Sequence, residues 1–441
     1  MFHYQRTIPT LWSTDVLVVG AGSAGCSAAI AAARPGCSVT LVERYGFLGG
    51  VSTGVLDTFY GFYTPGSEAR RVVDGVPGDI VRELGARKAA FERPNTFGAG
   101  TGITYHPETL KRVYEEMALT SGVQILLHTF CTDAIVEDGR LAGVVVDSKS
   151  GLQRIDARVT VDCSGDADVA ARAGAPCEQA GVESPVQTAT TTFRVCNVDV
   201  PRAVTIKRDR MAELMKTAVA RDRYDLPRLD GSIHRTPVPG VMLAIMSRVP
   251  DLDATDPVDL TRAEIEGRRQ VEQYVRFLRE YVPGYERADL IATSVQIGVR
   301  ESRRIRGEYW LTEADVVAAR RHDDDVVLCG APIEDHHTGS DTRWQYLPDG
   351  EVYGIPYRSL LPLQVEGLLV AGKCLSASHD AHASARNMAQ CMAMGQAAGT
   401  AAALAVETGR TPRAIDRGQL RDRLLAADAI LEWPALMPAS V

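Results

Sequence analysis

The amino-acid sequence predicts an α/β fold, in which a parallel sheet carries an antiparallel β-meander and a second, α+β unit is inserted. Three observations predict it: a strand–helix–strand unit near the start, paired hairpin signals in the middle, and a return of the first pattern near the end. The strand–helix–strand unit is an apolar run at 14–20, a run of small residues at 22–34 and an apolar run at 38–43.

The β-meander is predicted over residues 133–163. Alternating apolar residues there are interrupted by two hairpin signals, Asp138-Gly139 and Ser150-Gly151. Apolar residues at helical spacing over 106–121 precede it, followed by a strand-like run at 123–127. These elements extend the parallel sheet and then close it with antiparallel strands.

The segment 44–105 is rich in Gly and Tyr and shows little periodicity. We expect long loops and one helix at 79–90, because irregular segments of this length more often line a site than build a core.

The inserted unit is predicted at 176–350, where Pro-punctuated strands and charged helices replace the earlier pattern. The first architecture returns as a buried strand at 367–372 and a helix of small residues at 385–406. The sequence therefore predicts a discontinuous nucleotide-binding domain, 1–175 and 351–441, around a substrate-binding cap.

The composition is that of a globular enzyme of 441 residues with a net charge of -8. This charge disfavours a nucleic-acid partner, because phosphate binding needs clustered Lys and Arg. Nine cysteines without a CxxC pair favour reduced thiols and a cytoplasmic location. Neither residues 1–15 nor the alanine-rich run at 393–406 is long and apolar enough for a signal peptide or a membrane span.

A dinucleotide fingerprint stands at 20–25, where the sequence GAGSAG matches GxGxxG. It follows a strand, opens a helix, and has Glu43 at the end of the next strand, which is the context the motif requires. Gly20 permits the tight turn, Gly22 the approach of a pyrophosphate and Gly25 the close packing of helix on strand. The helix N-terminus at Ser23 and Ala24 would bind phosphate, and Glu43 the adenosine ribose. This Rossmann-like signal alone leaves FAD and NAD open.

Five blocks in order make the chain resemble the FAD-dependent oxidoreductases of the two-dinucleotide-binding flavoprotein class. The first block is the fingerprint, followed by VER at 42–44 and GFLGGVSTG at 46–54. The remaining four are VDCSGDAD at 161–168, GVRESRRI with GEY at 298–309, IPYRSLLP at 355–362, and LVAGKC with MAMGQAAGTA between 369 and 401.

This resemblance implies FAD, which needs contacts at both of its ends. It implies cofactor contacts along the first strand–helix unit, the end of the meander, the end of the last strand and the start of the last helix. They are Gly20, Gly22, Ser23, Ala24, Gly25, Glu43, Arg44, Gly49, Gly50, Ser164, Gly165, Asp166, Gly372, Asn387 and Met388. The last helix would direct its positive end at the flavin, and Gly395 and Gly399 would let it pack closely on the sheet.

Candidate catalytic residues cluster just before that helix, where His379, His382 and Arg386 should lie beside the flavin. An imidazole could take a proton, and Arg386 could hold a substrate carboxylate or a flavin carbonyl. The alternative is that these side chains cap the helix or pair with each other. Tyr357, at the return to the cofactor domain, is a further candidate.

Candidate substrate-binding residues come from the inserted unit and its exit. They are Arg300, Arg303, His336, His337 and Arg358. The arginines could anchor an anionic substrate or bridge the two domains, and the histidines could line the pocket or lie in a solvated loop. No metal site is expected, because the histidines lack ligand spacing.

We therefore expect a flavoenzyme that oxidises a small organic metabolite by hydride transfer to flavin N5, as a dehydrogenase or oxidase. The alternatives are a monooxygenase or ene-reductase reduced by NAD(P)H, a flavin-binding protein without turnover, and an NAD-dependent dehydrogenase. No second GxGxxG occurs, which argues against a dedicated NAD(P)H domain. The expected partner is a small-molecule substrate, with a homodimer left open.

Overall fold

The computed structural model of the chain describes residues 5–66, 68–221, 224–339 and 341–434. The strands are β1 Thr10–Val19, β2 Val39–Val42, β3 Thr58–Phe59, β4 Ala90–Arg93, β5 Gly102–Tyr105, β6 Gln124–Leu126, β7 Phe130–Glu137, β8 Arg140–Ser148, β9 Gly151–Asp162, β10 Cys177–Gln179, β11 Phe193–Cys196, β12 Ser232–Arg235, β13 Met242–Ile245, β14 Asp289–Thr293, β15 Arg303–Ile305, β16 Asp325–Cys329, β17 Ile333–Asp335, β18 Arg343–Gln345, β19 Tyr353–Pro356 and β20 Leu368–Val370. The α-helices are α1 Ser23–Ala33, α2 Val51–Gly54, α3 Val76–Ala86, α4 Pro107–Thr120, α5 Asp168–Arg172, α6 Val200–Ala203, α7 Arg208–Ala220, α8 Pro257–Tyr281, α9 Glu313–Val317, α10 His379–Ala385, α11 Met388–Thr408 and α12 Arg417–Ala426. Single 3₁₀ turns lie at Tyr357–Leu360 and Pro412–Ala414.

The central sheet is built on β1 and β9, which pair in parallel. Its strand order is β6-β2-β1-β9-β8-β7, with β2 and β6 parallel to β1, and β8 and β7 antiparallel. Strand β8 pairs with residues 151–156 of β9 and β20 with residues 160–162, so the meander and the final strand share one edge of β9. The predicted parallel sheet with a β-meander is thereby confirmed.

Helices α1 and α11 pack against each other beside this sheet. A Cβ atom on Gly395 would lie 2.0 Å from the carbonyl oxygen of Ala24, and one on Gly399 would lie 2.1 Å from that of Ala28. These glycines thus permit a close helix–helix contact, whereas the sequence predicted that they serve contact with the sheet.

The helix predicted at 385–406 is two helices, α10 and α11. The first begins earlier than predicted, because the Ser378 hydroxyl caps it by accepting a hydrogen bond from the Ala381 N–H at 3.3 Å. The break follows at Asn387, whose backbone is extended with ψ of 148°. A small-residue pattern continues across this break, which is why the sequence did not reveal it.

The segment 44–105 contains more regular structure than predicted. The helix lies at α3, slightly before the predicted 79–90, and β3, β5 and β4 form a three-stranded sheet. These strands have two to four residues each, which is too short for an apolar alternation to be visible.

The hydrophobic cores indicate that the inserted unit is shorter than the predicted range 176–350. One core combines α7 and α8 with the sheet β12-β13-β11-β14 and contains residues between 193 and 288. Strands β16 and β19 instead belong to the core that holds α1 and α11. We therefore propose that the inserted unit ends before β16.

All nine cysteines lie in the described ranges and are free thiols. Within those ranges, none of the helices combines the length and the apolar character needed to cross a bilayer.

Candidate active site

The glycine-rich turn between β1 and α1 has no room for side chains at two of its glycines. Gly20 has φ of 91°, and a Cβ there would lie 2.5 Å from the Cys163 carbonyl oxygen. A Cβ on Gly25 would lie 1.8 Å from the Gly20 carbonyl oxygen. Gly22, the N-cap of α1, differs, because its Cβ would meet nothing within 4 Å. The open space beside Gly22 is the cavity described below.

Glu43 ties this turn to the end of β2. One carboxylate oxygen accepts a hydrogen bond from the Ala21 N–H at 2.7 Å, and the other accepts one from the Tyr45 N–H at 2.9 Å. Burial raises the pKa of Glu43, although these two donors oppose the shift. Each carboxylate oxygen has a further lone pair for a ribose hydroxyl.

A single cavity of about 1110 Å³ runs from this turn to the N-terminus of α11. Its size exceeds the roughly 300–1,000 Å³ of ordinary ligand pockets, so it has space for a cofactor and a second molecule. Most of the predicted cofactor contacts line it. They are Gly20, Gly22, Ser23, Ala24, Glu43, Arg44, Gly50, Ser164, Gly165, Asp166, Gly372, Asn387 and Met388.

Two predicted cofactor contacts, Gly25 and Gly49, lie behind the cavity wall. Gly25 serves the contact with Gly20, and Gly49 has φ of 111° with a Cβ position 2.3 Å from Thr53. Both glycines therefore shape the wall through their backbone conformation.

The carboxyl end of β9 brings charged groups to the middle of the cavity. Lys373 Nζ lies 2.7 Å from Asp166 Oδ1. Burial would raise the pKa of Asp166, but the charge of Lys373 and the hydrogen bonds from Lys373 and Ser302 together lower the pKa. Arg303, predicted to bind substrate, donates to the Asp166 carbonyl oxygen at 3.1 Å and to Asp168 at 3.0 Å. Arg303 thus lies at the cofactor part of the cavity.

The N-terminus of α11 faces the cavity through Asn387 and Met388. No side chain caps this helix, and although the Ala389 N–H donates to the Tyr60 carbonyl oxygen at 3.2 Å, its other first N–H groups and its positive dipole end remain available to a ligand. The donor set fits FAD: one helix N-terminus for the pyrophosphate, a buried carboxylate for the ribose and a second helix N-terminus for the ring.

His379 lies outside this cavity, between two carboxylates. Its Nδ1 is 2.9 Å from Glu301 Oε2, and its Nε2 is 3.2 Å from Asp335 Oδ1. Burial opposes a charge on the ring, but these hydrogen bonds prevail and raise the pKa of His379 to about 9. Its ligand atom also lies within 4.8 Å of those of Asp335 and Asp380, but Arg343 contacts both of these carboxylates. His379 is therefore a paired imidazolium, and its predicted catalytic role is not supported.

His382 is fully buried and also lies outside the cavity. Its Nδ1 lies 3.5 Å from Glu301 Oε1 and 3.4 Å from the amide of Gln187. Burial, and then the charges of Arg304 and Arg386, lower the pKa of His382 well below its ordinary value. The ring is buried and does not line the cavity, so the structure does not place it beside a substrate as the sequence predicted.

Arg386 is the predicted catalytic residue that does line the cavity. Its guanidinium donates to Gln187 Oε1 at 2.8 Å and to the Glu334 carbonyl oxygen at 3.2 Å. Its Nε is buried and finds no partner among the described residues. The side chain is positioned by neutral groups and keeps donor capacity for a ligand.

Tyr357 and Arg358 do not reach the cavity. Tyr357 is fully buried and donates to the Pro412 carbonyl oxygen at 2.8 Å. Arg358 pairs with Asp324 at 2.9 Å. The turn that carries them faces the C-terminal segment, so their predicted catalytic and substrate-binding roles are not supported.

Besides Arg303, the predicted substrate residues Arg300 and His336 line the cavity, whereas His337 does not. His336 Nε2 lies 3.0 Å from Glu334 Oε1, and its Nδ1 lies 3.2 Å from Thr342 Oγ1. Burial and the charges of nearby arginines, Arg300 first, lower the pKa of His336 well below its ordinary value. His337 points outward with 42% of its side chain exposed.

Several lining residues were not predicted, because they come from separate elements without a motif. They are Tyr60, Arg93, Phe97, Arg208, Arg228, Asp230, Glu334, Trp344 and Lys373. For most of them no sequence signal exists. Lys373 is an exception, since it directly follows the predicted contact Gly372 at the end of a parallel strand, where ligands bind.

Residues 15–424 match the family model described as FAD dependent oxidoreductase. The chain belongs to this family. The match confirms the predicted class of enzyme, an oxidoreductase with FAD as its cofactor.

Curated relatives match shorter segments of this chain than the family model does. Digeranylgeranylglycerophospholipid reductase 1 of Methanopyrus kandleri is 26% identical over 166 residues, which are 34% of this chain and 39% of that protein. Thiamine thiazole synthase of Aeropyrum pernix is 34% identical over 136 residues, 30% of this chain and 44% of that protein. The chain thus matches less than half the length of either relative.

Among solved structures, p-nitrophenol 4-monooxygenase from Pseudomonas putida aligns with 95% of this chain and 86% of its own. The TM-score is 0.49 and the sequence identity is 10%.

Proposed function

We propose that this flavoenzyme oxidises a small organic metabolite, as a dehydrogenase or oxidase, with FAD and the substrate held in one cavity. The observation that carries the proposal is the continuity of that cavity from Gly22 past the N-terminus of α11 to His336 and Arg386. A substrate at Arg386 would be in reach of a ring held at Asn387 and Met388.

The residues that would hold FAD are the thirteen lining residues predicted from sequence, with Lys373 added beside Asp166. When bound, FAD supplies an acceptor for a hydride from the substrate carbon. The chain contributes the positive N-terminus of α11, which would stabilise negative charge at the ring.

We assign the proton that accompanies substrate oxidation to His336. The lowered pKa favours the neutral ring, and with Nε2 donating to Glu334 the nitrogen that would carry no proton is Nδ1, beside Thr342. Glu334, 3.0 Å from Nε2, would stabilise the imidazolium once it forms. Arg386 would orient the substrate through its guanidinium, since this side chain lines the cavity.

The test begins with the visible spectrum of the purified protein, which should be that of a flavoprotein. Anaerobic screening of metabolites should then find a compound that bleaches the flavin. His336→Asn should slow this reduction about 100-fold or more, because a positioned general base contributes about 10²–10⁴-fold. His337→Asn is the matched control and should reduce at the wild-type rate.

Other outcomes would contradict the proposal in distinct ways. Rapid bleaching by NADH or NADPH, without any metabolite, would favour the monooxygenase or ene-reductase alternative. A flavin that neither nicotinamides nor metabolites reduce would favour a protein without turnover. The cytoplasmic location, the absence of a nucleic-acid partner and the homodimer stay predictions.

A further inference from the structure

We propose that the substrate end of the cavity binds a carboxylate attached to an apolar, ring-containing body. This end is defined by Tyr60, Arg93, Arg300, His336, Trp344 and Arg386. The inference rests on the proposed function, because it assumes that the substrate shares the cavity with FAD.

Two arginines at this end have only neutral partners within the described parts of the chain. Arg300 donates to the Thr188 carbonyl oxygen at 2.6 Å and to Thr190 Oγ1 at 2.8 Å. Arg386 donates to an amide oxygen of Gln187 and to a backbone carbonyl oxygen. Neither guanidinium forms an ion pair with a described carboxylate, although the charge of Glu334, which also contacts His336, favours the charged form of Arg300.

The nearby carboxylate Asp230 does not neutralise them, because it serves other groups. It lies 2.7 Å from Arg228 and 3.6 Å from Arg208. It also accepts a hydrogen bond from Thr342 at 3.0 Å. One negative charge thus serves two further arginines of the cavity wall, and the wall keeps an excess of positive charge.

The excess of positive charge in the cavity wall affects the pKa of Arg300. Burial, followed by the charges of Arg386 and Arg228, lowers the pKa of Arg300 well below its ordinary value. A bound anion would remove this repulsion, since an opposite charge at short range favours the charged form of each arginine.

Aromatic side chains form another part of the cavity at the substrate end. Trp344 and Phe97 meet edge to face, with ring centroids 5.4 Å apart, and Tyr60 lies beneath the guanidinium of Arg93. Ile233 and Ile245 from the inserted unit also line the cavity. Aromatic and aliphatic surfaces favour an apolar body, preferably a ring that can stack on Trp344.

The test measures binding to the FAD-loaded protein by isothermal titration calorimetry, without turnover. The probes are phenylacetate, 3-phenylpropionate, the neutral amide phenylacetamide, acetate and phenyl phosphate. At least one arylcarboxylate should bind about tenfold or more tightly than phenylacetamide, because the amide cannot pair with a buried guanidinium. Acetate should bind more weakly than phenylacetate, since it lacks the ring.

Arg386→Gln should remove the preference for acid over amide while leaving amide binding unchanged. Arg358→Gln is the matched control, since Arg358 lies outside the cavity, and it should keep the preference. FAD content and thermal unfolding establish that each variant is folded. Arg300→Gln is the second variant if Arg386→Gln fails to fold.

Equal affinities for phenylacetate and phenylacetamide, no saturable binding of either arylcarboxylate, or tenfold tighter binding of phenyl phosphate would each overturn the proposal. A protein that shows the expected preference but whose flavin no metabolite reduces would contradict the proposed oxidation alone. A protein reduced by a neutral metabolite without any preference for acids would contradict this inference alone.

Discussion

At the scale of single residues, the same chemical type has different roles depending on what surrounds it. His379 and His336 are both buried beside carboxylates, yet the pKa of His379 is raised to about 9 and that of His336 is lowered. Two carboxylates contact His379, whereas arginines surround His336. The charges around each ring therefore decide which histidine can accept a proton.

His379 should make the stability of the protein depend on pH. Because its pKa is higher in the folded chain than the ordinary value of about 6.5, its contribution is complete below about pH 6.5 and disappears as the pH rises through about 9. His379→Gln should therefore lower the free energy of unfolding by roughly 2 kcal/mol at pH 6.5 and by much less at pH 10. Urea unfolding of both proteins at the two pH values measures this. A difference that stays constant with pH would contradict it.

Gly22 and Gly25 should respond differently to the same added methyl group. Gly25→Ala forces a Cβ against the Gly20 carbonyl oxygen, so it should lower the free energy of unfolding by about 1–3 kcal/mol. Gly22→Ala places its Cβ in the open cavity, so the fold should remain while FAD affinity falls. Thermal unfolding and a titration of the apoprotein with FAD separate the two effects. Unchanged FAD affinity of Gly22→Ala would show that the cofactor does not approach this turn.

At the scale of secondary-structure elements, the contact between α1 and α11 holds the two ends of the cofactor site in place. Each helix directs its N-terminus at the cavity, and neither N-terminus is capped by a side chain. The distance between these two ends is set where Gly395 and Gly399 meet the backbone of α1. Small residues in both helices thus determine how long a ligand the cavity accepts.

Gly399→Ala should lower the free energy of unfolding by about 1–3 kcal/mol, because its Cβ would lie 2.1 Å from the Ala28 carbonyl oxygen. Gly85→Ala in α3 is the matched control, since a Cβ there meets nothing within 4 Å. It should raise the free energy of unfolding by about 0.5 kcal/mol through helix propensity. Chemical unfolding of both variants measures the two changes in the free energy of unfolding, which should have opposite signs. Equal changes would show that the contact of Gly399 with Ala28 does not limit the residue at this position.

At the scale of the whole molecule, the cavity lies where the two hydrophobic cores meet. The cofactor part comes from the central sheet, and the region of the second core adds Arg228 and Ile233 to the cavity wall. A buried pair, His234 and Asp57, joins the two regions with Nε2 2.8 Å from Oδ1. This pair therefore helps to fix how the two regions meet at the cavity.

Removing one partner of this pair should destabilise the junction. His234→Ala leaves the Asp57 carboxylate buried with only the Thr58 hydroxyl as a partner, so the free energy of unfolding should fall by about 3–5 kcal/mol. In the double variant, Asp57→Ala should restore part of the lost free energy of unfolding, because the buried carboxylate is no longer present. Unfolding of the two single variants and the double variant measures the coupling, and simple additivity would contradict it.

The sequence by itself predicted most of the residues that line the cofactor part of the cavity. The GxGxxG turn, Glu43, the CSGD segment and the glycines of α11 carry local backbone requirements, and such requirements are visible in residue type and spacing. The sequence also predicted the parallel sheet with its meander, because apolar periodicity follows directly from strand and helix geometry.

Only the tertiary structure determined which residues form the substrate end of the cavity. His379 and His382 are close to the flavin helix in sequence, yet carboxylates and burial hold them behind the wall. The substrate end gathers Tyr60, Arg228 and Trp344 from distant parts of the chain. Their positions follow from how the two cores dock, which depends on long-range packing, and no local pattern encodes it.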